Sequence, residues 1–274
     1  MFPGKDIDPR ESPRALFAFE LRRHRRRANL SQRQLAERIG FSDSMVNLVE
    51  QTKRRPSQQF AELCDRVLGL DGTMSRLYTA TTWPQAPEHF RPWLDEEQDA
   101  ADLCCWEPTI IPGLLQTEAY ARRIIVVSPG ITEEEVDERV AGRMRRRMIL
   151  ERKRPPVINV IMDEAVIRRQ VGGVAVMNEQ LRFLLELVRP PQLTIQLIPS
   201  TTDVHCGLVG GFIIAERDGS AYAAYVGAQP YGRTVDDRAT LARLVRRYHA
   251  ISFQALSCQQ SLRFIEEVVQ RNDS

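Results

Sequence analysis

A chain of 274 residues, 43% apolar and 27% charged, holds enough apolar material for one large or two ordinary domains, and its composition is not that of a disordered or fibrous polymer. No run approaches the roughly 18 apolar residues of a membrane span, and the start Met1-Phe2-Pro3-Gly4-Lys5-Asp6 lacks the apolar stretch of a secretory leader. The expected location is the cytoplasm, with no membrane contact. A formal net charge of +2 conceals an asymmetry: residues 1–70 carry 14 Lys+Arg against 9 Asp+Glu, and the other 204 carry 24 against 27. A basic head on a mildly acidic body suits nucleic acid for the head. The five cysteines, Cys64, Cys104, Cys105, Cys206 and Cys258, form no C-x-x-C pair and are odd in number, so they indicate neither a disulfide framework nor a zinc ribbon. Core packing is their expected role, and neither metal nor cofactor is expected.

Residues 1–13 are rich in proline and charge and read as a disordered arm. A helix is expected from Arg14 to Arg27, with Leu16, Phe17, Ala18, Phe19 and Leu21 as its apolar contacts and Arg22-Arg23-His24-Arg25-Arg26-Arg27 at its end. Cations suit a helix C-terminus, but five arginines in six residues exceed that need and suggest phosphate contacts. Next comes Leu30-Ser31-Gln32-Arg33-Gln34-Leu35-Ala36-Glu37-Arg38-Ile39-Gly40. Ser31 and Gln34 stand at capping-box spacing, Leu35, Ala36 and Ile39 share one face, and Gly40 ends the helix in a left-handed turn. Ser42 is placed to cap a second helix whose inner face is Met45, Val46 and Val49. Its outward residues Asp43, Ser44 and Asn47 are small and polar, fit to enter a DNA groove. Lys53-Arg54-Arg55 forms a basic loop beside it. Pro56 suits the first turn of a further helix carrying Phe60, Leu63, Cys64, Val67 and Leu68 up to Gly69, and a short helix around Thr73–Thr79 completes the head.

These features resemble the helix-turn-helix of the phage Cro/repressor-like, or XRE, family. The resemblance rests on Leu30-Ser31-Gln32, Leu35-Ala36, Gly40, Val46, Glu50 and the basic run Lys53-Arg54-Arg55-Pro56. Family members usually carry Glu-x-Gly after the second helix, whereas this chain has Glu50-Gln51-Thr52.

Residues 80–92 carry three prolines and little periodicity and read as the linker. A helix from Trp93 to about Cys104 opens the second domain, followed by a short apolar segment from Cys105 to Ile111. Ile111-Pro112-Gly113-Leu114-Leu115-Gln116-Thr117 then leads into a helix through Glu118-Ala119-Tyr120-Ala121. Thr132 and Glu135 form a second capping box, opening a helix that ends in Arg143-Met144-Arg145-Arg146-Arg147, a charge order that dipole matching explains. Strands are expected at Val157–Met162, Leu193–Ile198, Gly210–Glu216 and Ala221–Val226, the last two joined by a hairpin at Asp218-Gly219. Helices are expected from Asp163-Glu164 to Gly172-Gly173, at Met177–Val188, at Val235–Leu256 and at Cys258–Asn272, the last with Ser257 and Gln260 in capping-box positions. The fold class is therefore α+β overall: an all-α five-helix repressor-like domain over 14–79, a linker over 80–92, and an α+β domain with a small sheet and flanking helices over 93–274.

The second domain resembles a domain of unknown function that follows this kind of helix-turn-helix in actinobacterial regulators, among them the WhiJ-like developmental regulators. The residues that carry the likeness are Ile111 to Thr117 with Tyr120-Ala121, Arg143 to Arg147, Asp163-Glu164-Ala165, Val171-Gly172-Gly173, Gln180-Leu181, Ile195 to Pro199, and His205 through Phe212. Around Tyr225-Val226-Gly227 the family more often has a Glu. The resemblance implies a transcriptional regulator, often encoded beside a small BldB-like protein that binds this domain, in a pairing likened to antitoxin and toxin. It supplies no ligand and no catalytic activity.

Three functions follow for comparison. The first is a repressor that binds double-stranded DNA as a homodimer on an inverted-repeat operator. Ser44 and Asn47 would read bases and Ser42 would cap the reading helix. Asp43 would accept from cytosine N4, and Gln32 would brace a phosphate. Arg22, Arg25, Lys53, Arg54 and Arg55 would lie along the backbone. The second is a sensor or partner-binding module in which DNA contact is secondary, using Pro112, Gly113, Gln116, His205 and Tyr225. The third, an enzyme built on Asp163, Glu164 and His205, lacks a nucleophile motif, a phosphate loop and a metal signature, so no catalysis is expected.

Overall fold

The computed structural model describes residues 7–10, 13–54, 56–81, 86–228 and 231–273. Residues 1–84 and 85–274 form two compact units. Most of the expected arm, Arg55 of the basic loop and residues 82–85 of the linker lie outside the described residues.

The first unit consists of α1 (Pro13–Arg27), α2 (Gln32–Ile39), α3 (Asp43–Glu50), α4 (Gln58–Leu68) and α5 (Thr73–Thr81). Phe17, Leu21, Leu35, Ile39, Val46, Val49, Phe60 and Met74 close on one core, and Phe41 meets Phe60 edge to face at 5.2 Å. Phe19, expected among the inward residues of α1, is exposed, because Phe17, Ala18 and Leu21 already fill the buried stripe. The caps follow local chemistry. Ser31 and Gln34 form the expected reciprocal box, and Gly40 ends α2 at φ 70°. The α4 helix starts at Gln58, two residues after Pro56 and not with it, since the Ser57 hydroxyl accepts from the Phe60 N–H and takes the N-cap position. Asp65, buried on α4, accepts from the backbone N–H groups of Met74 and Ser75 and so caps α5 from another helix.

The second unit contains α6 (Arg91–Asp99), β1 (Asp102–Glu107), α7 (Glu118–Ile125), α8 (Glu133–Arg147), β2 (Val157–Asp163), α9 (Glu164–Arg168), α10 (Val174–Leu187), β3 (Leu193–Ile198), β4 (Phe212–Arg217), β5 (Ser220–Val226), β6 (Arg233–Val235), α11 (Arg238–Ser252) and α12 (Cys258–Asp273). The described strands form one sheet in the order β3-β2-β1-β4-β5-β6. The first three strands in sequence are parallel, and each later neighbour is antiparallel. Parallel neighbours require crossovers, and the segments with α7–α8 and with α9–α10 supply them.

Three elements differ from the sequence reading. The helix expected to reach Gly172-Gly173 ends at Arg168. The first helix of this unit ends at Asp99, and residues expected at its end enter β1, where Leu103 and Cys105 pair with Ile158 and Val160. Sheet pairing overrides a helical pattern at the end of an amphipathic run. Val235, expected to open a helix, closes β6, because Asp237 caps α11 through the Thr240 N–H. The hairpin is as expected: Asp218 and Gly219 sit at φ 52° and 72°, the left-handed pair of a type I′ turn. Leu241, Leu244, Tyr248 and Ile251 of α11 pack with Trp106, Ile161, Phe212 and Ile214 on one sheet face. On the other face, the Tyr225 ring lies 6.1 Å from that of Trp93 on α6. The β3 edge is closed by α12 and the residues before it: Leu197 donates to the Ser261 hydroxyl and accepts from the Leu256 N–H.

Candidate functional site

Gly40, Phe41 and Ser42 turn the chain between α2 and α3, and the Ser42 hydroxyl accepts from the Met45 N–H. Val46 and Val49 hold α3 to the core. That leaves Asp43 and Ser44 exposed and Asn47 half-exposed on its outer side. Gln51, just past the helix, donates to Asn47 Oδ1 at 2.8 Å and extends this polar face by one turn. The i+4 spacing of Gln51 from Asn47 is the sequence signal for this contact. Lys53 and Arg54 follow, both exposed, their N–H groups donating to the Leu48 carbonyl. Asp43 accepts from the Ser44 N–H.

Behind this face lies a buried polar centre. Glu50 is fully buried at the end of α3. It receives Arg25 Nε at 2.6 Å and Nη2 at 2.8 Å, together with Gln32 Nε2 at 2.7 Å. Arg22 donates to the Glu50 carbonyl at 2.9 Å. One carboxylate thus joins α1, α2 and α3. The expectation of phosphate contacts is at odds with this geometry for Arg25, whose remaining Nη1 donates to the Leu30 carbonyl and whose side chain is buried. Arg22 and Gln32, half-buried, also turn toward Glu50. The exposed members of the basic run are Arg23, which pairs with Glu20, and Arg26 and Arg27.

The second unit places its five sequence candidates differently from one another. Pro112 and Gln116 are buried, so neither presents a side chain to a docking partner. Gln116 braces the loop: Nε2 donates to the Ile111 carbonyl, and Oε1 accepts from Arg143 Nη1 at 2.5 Å. Gln180 on α10 clamps the same loop at the Thr117 N–H and the Leu115 carbonyl. His205 is buried beside the Trp106 ring, and its Nδ1 accepts from the Gly207 N–H at 3.2 Å. Trp106 Nε1 donates to the Gly207 carbonyl, and a Cβ on Gly207 would stand 2.7 Å from the indole. Tyr225 sits half-buried against Phe90 and Trp93. Gly113 is half-exposed and faces Arg146. Asp163 and Glu164, weighed as acids, are otherwise engaged: Asp163 caps α9 at the Ala165 N–H, while Glu164 binds Arg168 and the Ser200 N–H.

Several charged groups missed by sequence reading lie beside Gly113, and one more, Glu107, lies beside Gly211. Arg146 and Glu97 form a buried two-point ion pair between α8 and α6. Burial, and next to it the charge of Arg146, pull the Arg143 guanidinium down to about 10. Burial alone pushes the Glu107 carboxyl up to about 7 at the end of β1. Sequence spacing offers no signal for this grouping, because α6, β1, the Ile111–Thr117 loop and α8 are apart in the chain and meet only in the folded unit.

A polar helix face beside exposed cations, carried on two short helices at a glycine turn, defines the class of helix-turn-helix proteins. The family described as a helix-turn-helix domain matches residues 16–77. A second family, described as a domain of unknown function (DUF5753), matches residues 90–267, and the chain belongs to it. No curated protein and no solved structure matches the chain. No described helix is long and apolar enough to cross a membrane, and no described group of His, Cys, Asp and Glu has the arrangement of a metal site.

Proposed function

We propose that the protein is a sequence-specific DNA-binding transcriptional regulator, acting as a repressor and as a homodimer on an inverted-repeat operator. The observation that carries this is the outward polar row Asp43, Ser44, Asn47 and Gln51 with exposed Lys53 and Arg54 at its end. Placed in the major groove, such a helix reads base edges while the cations hold phosphates. Asn47 is the strongest base reader, since Gln51 engages its carbonyl and leaves the amide N–H₂ to reach a base. The setting is the cytoplasm, at the nucleoid, and no catalysis is assigned to either unit. Genomic footprinting of the tagged protein tests the reading: a sharp palindromic site is expected. Asn47→Ala should relax preference at one base pair by about 1–3 kcal/mol. Equal binding of the variant to operator and scrambled DNA, matching the parent, removes Asn47 from the readers, and diffuse parental footprints overturn the operator itself.

A second reading makes the larger unit a docking module for a small protein partner, BldB-like as the sequence resemblance implies, in an antitoxin-like arrangement. It is favoured by the loop around buried His205, where Val204, Leu208 and Val209 are 81%, 59% and 79% exposed. Clustered apolar side chains of this kind mark contact surfaces. Co-purification of a stoichiometric small protein, lost on Leu208→Asp, is the expected result, and retention by the variant counts against this loop.

A further inference from the structure

The guanidinium groups of Arg143 and Arg146 outnumber the carboxylates that meet them. Arg146 spends Nε and Nη2 on Glu97. Arg143 makes no ion pair among the described residues, and its one hydrogen bond goes to the neutral Gln116 amide. Both groups converge on Gly113: a Cβ there would lie 3.1 Å from Arg146 Nη1 and 3.9 Å from Arg143 Nε. The backbone of Gly113 does not adopt positive φ, so its conformation does not call for glycine, whereas the close approach of Arg146 Nη1 favours a residue without Cβ. Arg146 Nη1 has no hydrogen-bond partner among the described residues. The buried Tyr120 hydroxyl accepts from the Ile111 N–H at 3.3 Å and leaves its own proton without an acceptor there.

We propose that the guanidinium groups beside the Gly113 turn bind a small anion, a carboxylate or phosphate group, held by Arg143 and Arg146 Nη1 with Tyr120 as a further donor. Two desolvated cations around one carboxylate carry a surplus positive charge, and an anion with several oxygens meets both through charge-assisted hydrogen bonds. Burial first, and the charge of Arg146 next, lower the affinity of Arg143 for its proton, and the second of these reflects that surplus. The site is preorganised, because Gln116 and Gln180 fix the loop that carries Gly113. This deepens the regulatory reading of the second unit by naming an effector chemistry. It does not require DNA binding.

The test uses the full chain without DNA, at constant ionic strength in chloride. Inorganic phosphate and acetate are titrated separately, and hydrogen–deuterium exchange is followed in the peptides spanning 111–120 and 143–147. One of the two anions should slow exchange in both peptides, and which one does so identifies the headgroup. Arg143→Gln should weaken that binding by about tenfold or more, the loss of a charge-assisted contact. If Arg143→Gln does not fold, Gly113→Ala serves, since it keeps both arginines and fills the space between them. Protection confined to residues 13–54, or none with either anion, overturns the inference, as does unchanged affinity in the folded variant. Because the readout is independent of DNA, its failure leaves the operator assignment standing, and the converse holds.

Discussion

Arg25 and Glu50 meet through two parallel hydrogen bonds, Nε to Oε1 at 2.6 Å and Nη2 to Oε2 at 2.8 Å, inside the helical unit. Removing the carboxylate leaves a buried guanidinium without its counter-charge. Glu50→Ala should therefore destabilise this unit by about 3–5 kcal/mol in urea denaturation. A loss under about 1 kcal/mol would give the pair no more weight than a surface bridge.

Arg54 provides the contrast, being exposed beside the polar face of α3. Arg54→Ala should change stability by no more than about 0.5 kcal/mol. On operator DNA it should lower the slope of log K against log salt by about 1, uniformly across sequences. An unchanged slope would move Arg54 off the phosphates.

Thr52 adopts φ 62°, a left-handed conformation that is costly for a β-branched residue. Relief of that strain exceeds the extra chain entropy of glycine, so Thr52→Gly should raise the denaturation midpoint by the equivalent of about 0.5–1 kcal/mol. A fall in stability would assign the turn to the Thr52 hydroxyl, which donates to the Gln51 carbonyl.

Glu107 keeps its proton up to about pH 7 when folded and loses it near 4.5 when unfolded. Between these values the unfolded chain binds fewer protons, so stability falls as pH rises, and the loss is complete above about 7. Glu107→Gln should abolish that slope and gain on the order of 1–3 kcal/mol over the parent at pH 8. Parallel stability curves for parent and variant would show a carboxyl that ionises normally.

What the sequence made legible was local. The Ser31–Gln34 and Thr132–Glu135 boxes, the Gly40 turn and the Asp218-Gly219 hairpin depend on neighbours within four residues, and each is found where the spacing puts it. The polar face of α3 was readable for the same reason. Burial of individual cations was not: Arg25 and Arg26 are adjacent in one run, and only the arrival of Glu50 from α3 draws the first inward. The Arg143–Arg146 pair read as helix-dipole matching because Glu97 and Gly113 reach it from other elements. Likewise β1 took residues from an expected helix once β2 and β4 offered it partners on both sides.

The seal on the β3 edge also sets an order of events during synthesis. Ser261 and Leu256 follow the six described strands in the chain, so the backbone of β3 stays open to foreign strands until α12 has left the ribosome. A nascent chain halted before Leu256 carries the described strands with the β3 edge unguarded, the form in which chaperone capture or strand-to-strand aggregation has its opportunity.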